Sequence, residues 1–279
     1  MKSFTWSNDQ FIERLQHIPG GPWTVFEAQQ QLDQLVLQPL PLDSSSVDTG
    51  LFLDFLSDIA HRRLVQCFLG AQVAHQWSTE DLLKQTRPRS PQALGEALEQ
   101  CQFWQIAVES PDNLWQGHPR LATLNNIGWS FEWLIQSLLE KHYGAYVRRH
   151  VKLGELAHLG EIDIVALMPD GYALLCECKS STKSLTDRQL DRFFTKAHSI
   201  PAAQSLLIID TDDPHQMVQR IGQLGQAMLR AFGSASVGAI QQYAGSSIIQ
   251  LHEHLFVADT GGGILTSLQA VLSETSERY

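Results

Sequence analysis

Residues 160–179 of this 279-residue chain read GEIDIVALMPDGYALLCECK, and this stretch decides the fold. Two apolar runs of strand length flank residues 168–171, whose proline, aspartate and glycine are typical of a turn. The stretch therefore predicts a β-hairpin.

Each strand of this hairpin carries charged residues in an otherwise apolar pattern. Side chains alternate between the two faces of a strand, so Glu177 shares a face with Lys179, and Glu161 shares one with Asp163. Folding the hairpin can bring Asp163, Glu177 and Lys179 to one side of a sheet. Burying such charges costs several kcal/mol each unless they are paired or bind an ion. Because neighbouring carboxylates also repel, a divalent cation would relieve both problems, and the pattern indicates metal-dependent phosphodiester chemistry.

Composition and charge restrict the protein class. The chain is 43% hydrophobic and 18% charged, which is typical of a globular protein. Without a run of about 18 apolar residues no transmembrane helix is expected, and the first residues are too polar for a secretory signal. The four cysteines have neither disulfide-scaffold nor zinc spacing, so Cys176 and Cys178 are predicted to be small buried hydrophobes. The expected compartment is the cytoplasm.

The net charge of −10 argues against a protein that simply coats nucleic acid. Residues 1–118 hold 7 basic against 14 acidic residues, whereas residues 119–279 hold 13 against 16. Several basic residues lie near the hairpin and could contact a phosphate backbone, although a solvated mixed-charge face is the alternative for each: Arg148, Arg149, Lys152, Lys183, Arg188, Arg192 and Lys196.

The chain divides into three predicted segments. Residues 1–50 are an N-terminal extension with a proline-rich linker at 39–46. Residues 51–118 are predicted to form three helices, at 51–70, from Ser78 and from Ser90, and then a hairpin whose first strand is 103–108. This pattern resembles a winged-helix domain. Its third helix, however, contains two glutamates and no basic residue, which favours protein–protein packing over DNA reading.

Residues 119–279 alternate helices and strands around the hairpin, so we predict an α/β domain with a mixed sheet flanked by helices. The expected elements are a helix at 126–143, a strand at 145–152, a helix at 186–198, a strand at 206–209, a helix at 214–232, strands at 248–251 and 254–257, and a helix at 264–272.

Four motifs in this segment, in order, resemble the PD-(D/E)XK nuclease superfamily, which has a restriction-endonuclease-like fold. They are a helical GWSFE ending at Glu132, GEID ending at Asp163, the Glu-Cys-Lys ending at Lys179, and a helix with Gln189 followed four residues later by Phe193. The similarity covers about residues 124–210. The proline of the superfamily's name is absent before Asp163, and Phe193 stands where tyrosine is commoner in the superfamily.

The resemblance implies a site for Mg²⁺ or Mn²⁺. Asp163 and Glu177 would be the principal ligands, and Glu132 would bind the ion directly or through a water. Lys179 would orient or deprotonate the attacking water and stabilise charge on the phosphate. Gln189 would position Lys179 or touch the nucleic-acid backbone.

The expected function is therefore a divalent-metal-dependent nuclease, with DNA rather than RNA as the expected substrate. The alternative is a catalytically silent nuclease-fold protein that serves as a binding or assembly module. The acidic N-terminal domain favours that alternative and suggests a protein partner or a homodimer. Glu161 is a further candidate ligand, with a surface salt bridge as the alternative. Asp210, Asp212 and Asp213 are expected to form a turn and helix start rather than a second metal cluster.

Overall fold

The computed structural model of the protein describes residues 25–26, 49–123, 128–153, 158–200, 203–233, 241–242, 248–252 and 254–276. The chain divides into two compact units. The described residues of one unit are 49–123 and 128–130. Those of the other are the two-residue strand β1 (Val25–Phe26) and the residues from Phe131 onward. The linker predicted at 39–46 lies outside the described residues.

The first unit contains helices followed by a small antiparallel hairpin. Its elements are α1 (Thr49–Ser57), α2 (Ile59–Cys67), α3 (Thr79–Thr86), α4 (Pro91–Phe103), β2 (Ala107–Glu109) and β3 (Trp115–Gly117).

Capping residues explain most of these boundaries. Ser78 and Ser90 each accept a hydrogen bond from a first-turn backbone N–H, as the sequence predicted. The helix expected at 51–70 is instead two helices, because the Asp58 side chain accepts from the Ala60 N–H and starts α2 afresh. The strand expected at 103–108 begins later, since α4 continues to residue 103 and Gln105 adopts a positive φ of 53°.

The second unit is an α/β structure, as predicted. Its remaining elements are α5 (Gly128–Tyr143, of which Phe131 onward belongs to this unit), β4 (Tyr146–Leu153), β5 (Ile162–Leu167), β6 (Ala173–Lys179), α6 (Asp187–Ser199), β7 (Ala203–Ile209), α7 (Pro214–Phe232), β8 (Gln241–Gln242), β9 (Ile248–His252), β10 (Leu255–Asp259) and α8 (Ile264–Ser276).

These strands form one mixed sheet in the order β1-β4-β5-β6-β7-β10-β9-β8. Six strands of five to eight residues make up the sheet, with a two-residue strand at each edge. The pairs β4–β5, β5–β6 and β9–β10 are antiparallel, whereas β6–β7 and β7–β10 are parallel. No helix among the described residues is long and apolar enough to cross a membrane.

The hairpin of β5 and β6 lies inside this sheet with the predicted alternation. Ile164 pairs with Cys176 and Val165 with Leu175, so extending the register by one residue sets Asp163 opposite Glu177. Cys176 is completely buried and free, as expected for a small hydrophobe. Helices α6 and α7 pack over β7, β9 and β10 through an apolar cluster, beside the charged end of the hairpin.

Candidate functional site

The hairpin brings Asp163, Glu177 and Lys179 together. The Lys179 Nζ lies 2.8 Å from Glu177 Oε1 and 3.5 Å from Asp163 Oδ2. Asp163 Oδ2 also accepts a hydrogen bond of 2.8 Å from the Cys178 backbone N–H across the strand pair. The three charged side chains are only 12–13% exposed. One ammonium therefore lies between two carboxylates in a largely dry part of the sheet.

This crowding changes the acidity of the site. Burial raises the pKa of Asp163 and the neighbouring Glu177 adds to it, although Lys179, the Cys178 N–H and Lys196 oppose the rise. Burial acts to lower the pKa of Lys179, but the two carboxylates outweigh it and the pKa is raised overall. Lys179 therefore stays an ammonium that offsets one of the two carboxylate charges.

Glu132 on α5 is the third carboxylate of the site. Its side chain is 17% exposed. Burial and then the charge of Asp163 raise its pKa to about 8, against the opposing charges of Arg149 and Lys179. Among the described residues, the buried Glu132 Oε2 accepts no hydrogen bond. The structure thus places a third, largely shielded carboxyl group beside Asp163.

His150 is a residue of this site that the sequence analysis did not single out. It lies on β4, with its Nε2 3.3 Å from Glu132 Oε2 and its Nδ1 3.4 Å from Glu161 Oε1. The first contact has an ion-pair distance without hydrogen-bond alignment. His150 has a φ of 55°, a conformation that costs a residue with a side chain about 1 kcal/mol or more. The structure thus places Glu161 within ion-pair distance of His150, and its role as a ligand stays a prediction. No sequence signal marked His150.

Lys196 on α6 is the second residue that the sequence analysis missed as part of the site. Its Nζ lies 3.4 Å from Glu177 Oε2 and donates to the backbone carbonyl of Glu161. The sequence placed Lys196 only in a basic rim, but its side chain is 7% exposed. Its spacing of seven residues from Gln189, two helical turns, was the available signal.

Gln189 lies at the start of α6 and caps that helix. Its Oε1 accepts from the Thr186 backbone N–H at 3.0 Å and from the Thr186 hydroxyl at 2.9 Å. The Thr186 hydroxyl oxygen accepts in turn from the Gln189 N–H, which completes a capping box. The structure therefore places the amide oxygen of Gln189 on Thr186, and the predicted role beside Lys179 stays a prediction.

The donor set suits a hard divalent cation. Mg²⁺ and Mn²⁺ prefer carboxylate oxygens, which Asp163, Glu177 and Glu132 supply. Within the described residues, no three His, Cys, Asp or Glu side chains are arranged as a ready-made metal site. Lys179 instead lies between two of the carboxylates. The residues nevertheless fit such an ion, because burial and then the neighbouring carboxylate raise the pKa of Asp163 and of Glu132, and a bound cation would stabilise their charged forms.

A second group of aspartates lies nearby and has different partners. Asp210 follows β7, and its Oδ1 accepts from the Thr260 hydroxyl at 2.8 Å. Asp259, which ends β10, accepts from the Gly261 N–H at 3.0 Å. These bonds shape the loops after two strands, in keeping with the turn that was expected at 210–213.

No protein-family model and no curated protein matches this sequence.

Proposed function

We propose that this protein is a divalent-metal-dependent nuclease that hydrolyses phosphodiester bonds of DNA rather than RNA. In this proposal the second unit has a restriction-endonuclease-like fold of the PD-(D/E)XK superfamily. The observation that supports it most is the convergence of three largely shielded carboxyl groups and one ammonium at one end of the β5–β6 hairpin.

Asp163 and Glu177 would hold Mg²⁺ or Mn²⁺, and Glu132 would bind directly or through a water. The bound ion supplies an activated water and neutralises charge on the phosphate. The Cys178 N–H orients the Asp163 carboxylate toward the site. Lys179, as an ammonium, would orient the attacking water and stabilise negative charge that develops on the phosphate.

Basic side chains on β4 support a polyanionic substrate. Arg148 lies over the Tyr146 ring, 4.8 Å from its centroid, and Arg149 is close enough to Glu132 to lower its pKa. Lys152, on the same strand, is exposed. With a net charge of −10 on the chain, a local basic strand beside the acidic site is the feature that would attract a phosphate backbone.

We assign the first unit a winged-helix-like fold and a protein-binding role. Glu96 and Glu99 are exposed on α4, the helix that would read DNA in a winged-helix protein. Exposed carboxylates there would repel phosphates. A protein partner or a second copy of this chain suits this surface better than DNA does.

The test is cleavage of a panel of labelled single- and double-stranded DNA and RNA by the purified full chain. Reactions contain Mn²⁺, Mg²⁺ or chelator, and Asp163→Asn is the matched inactive variant. We expect metal-dependent cleavage of DNA by the wild type only. Absence of cleavage of every substrate with either metal, or equal cleavage by Asp163→Asn, would refute the proposal.

The second candidate function is a catalytically silent module of the same fold. The ion pairs favour it, because Lys179 and Lys196 already neutralise Glu177 and Asp163 without a metal ion. A silent module predicts no cleavage and no change in stability with Mn²⁺.

A further inference from the structure

Lys196 is a buried cation that the proposed chemistry does not use directly. Its side chain is 7% exposed, and a lysine is rarely so buried unless it is paired. Removing an ammonium from water costs several kcal/mol, which must be recovered from its partners. The two contacts that it makes here therefore need an explanation.

Those contacts connect three elements of the second unit. From α6, the Nζ donates to the carbonyl of Glu161, immediately before β5, and lies 3.4 Å from Glu177 Oε2 on β6. The other oxygen of the same carboxylate, Glu177 Oε1, is 2.8 Å from Lys179. Both oxygens of Glu177 are thus held, each by a different ammonium.

The two ammoniums differ in what a bound cation would do to them. Lys179 lies between Asp163 and Glu177, so an ion that binds both carboxylates would compete with it for their oxygens. Lys196 approaches Glu177 from the helix and is anchored on a backbone carbonyl. When Lys179 is displaced, Lys196 remains as the contact that keeps the carboxylate from rotating.

We propose that Lys196 is a positioning residue of the metal site: it holds the Glu177 carboxylate in the orientation that binds the ion together with Asp163. This inference rests on the proposed metal-dependent function. Lys196 acts through Glu177 and contacts neither the phosphate nor the attacking water. Partners that orient a ligand in this way typically change metal affinity or activity by about 10–100-fold when they are removed.

A purely structural role is the rival explanation. Lys196 would then only tie α6 to the start of β5, and its loss would lower thermal stability without changing ion binding. A role as simple counter-charge makes a third prediction, because removing a cation next to Glu177 would strengthen the binding of Mn²⁺.

The test compares Lys196→Met, which keeps the chain length without the charge, with Lys196→Arg, which keeps the charge. Lys183→Met is the matched control, since Lys183 is an exposed lysine before the same helix. Mn²⁺ binding to the full chain is measured by titration calorimetry well below the melting temperature, and kcat and KM are measured on DNA.

We expect the Mn²⁺ Kd to rise about tenfold in Lys196→Met, with a lower kcat and little change in KM for DNA. Lys196→Arg should recover part of the affinity, and Lys183→Met should keep the wild-type Kd for Mn²⁺. An unchanged or lower Kd in Lys196→Met overturns the inference. If Lys196→Met does not fold, Lys196→Gln, which can still donate to the Glu161 carbonyl, is judged by the same two outcomes.

The proposed function and the proposed role of Lys196 are refuted by different results. Wild-type protein that neither binds Mn²⁺ nor cleaves DNA refutes the proposed function, and the inference about Lys196 falls with it. Wild-type protein that binds Mn²⁺ with the same Kd as Lys196→Met refutes the inference alone.

Discussion

Two groups of carboxylates lie at the same end of one sheet and have opposite surroundings. Glu177 lies near the end of β6, Asp210 follows β7, and Asp259 ends β10. These three strands are parallel neighbours, so their carboxyl ends share an edge. Asp163 joins the first group because it lies opposite Glu177 in the hairpin.

The two groups of carboxylates accept hydrogen bonds from different donors. Asp210 and Asp259 accept from the Thr260 hydroxyl and the Gly261 N–H, which are neutral donors of the loop after β10. Asp163 and Glu177 face the ammonium of Lys179 instead, and burial together with the charge of Glu177 raises the pKa of Asp163. The neutral donors fix the shape of the loop. For Asp163 and Glu177, we propose instead that a metal ion takes the place of the Lys179 ammonium between them.

Substitutions at the two groups should differ most in their effect on the cleavage rate. We expect Lys179→Ala to lower the cleavage rate about 10²–10⁴-fold while Mn²⁺ binding persists, because both carboxylates remain. Asp163→Ala should lose both cleavage and binding. Asp210→Asn, the control from the other group, should cleave close to the wild-type rate. Rates on labelled DNA and Mn²⁺ titrations measure these effects, and a fully active Lys179→Ala would contradict them.

The two groups of carboxylates should also differ in how Mn²⁺ changes the stability of the protein. An ion that binds only the folded state raises the free energy of unfolding by about 2.7 kcal/mol at a hundred times Kd. We expect the wild type and Asp210→Asn to melt higher in millimolar Mn²⁺ than in chelator, and Asp163→Asn to show no response.

In chelator, Asp163→Asn should be at least as stable as the wild type. The raised pKa of Asp163 means that the site disfavours its charge, and an asparagine carbonyl can still accept from the Cys178 N–H. Melting curves of the three proteins with and without Mn²⁺ decide this. A destabilised Asp163→Asn with a flat wild-type response would instead support the silent module.

The pH dependence of stability tests the third carboxylate. The pKa of Glu132 is raised from 4.5 to about 8 in the folded protein, so the native state keeps a proton that the unfolded chain has lost. That stabilisation is complete below about pH 4.5 and is lost as the pH rises to about 8, at no more than about 1.4 kcal/mol per pH unit.

Glu132→Gln should remove this pH-dependent contribution to the free energy of unfolding. The contribution of Asp163 remains, and it also decreases as the pH rises because the pKa of Asp163 is raised too. The stability of the variant relative to wild type, measured by denaturant unfolding in chelator, should therefore increase from pH 5 to pH 8. If the free energy of unfolding changes with pH in the same way in both proteins, the pKa of Glu132 is not raised in the folded state.

The smallest effect on stability is expected when a hydrogen bond of Asp210 is removed. Thr260→Val removes the hydroxyl that donates to Asp210 and should lower the free energy of unfolding by about 1 kcal/mol. The increase in melting temperature with Mn²⁺ should remain. Loss of that increase in Thr260→Val would place Asp210 in the metal site and remove the distinction between the two groups.

The sequence by itself determined the local part of the site. The turn at 168–171 and the period-two pattern around it specify both strands and their register, and the register places Asp163 opposite Glu177. The helix starts at Ser78, Ser90 and Thr186 were also predictable, because a capping side chain and its N–H partner lie within one turn.

Only the tertiary structure decided which residues reach the site from a distance. Lys196 and His150 contact Glu177 and Glu132 because of how α6 and β4 lie against the hairpin, and nothing within a few residues of either one encodes that. Local propensities cannot specify strand order either, so the place of β10 between β7 and β9 was not predictable. Turns, caps and alternation are encoded by adjacent residues, whereas the partners of buried charges depend on packing between elements that are remote in the chain.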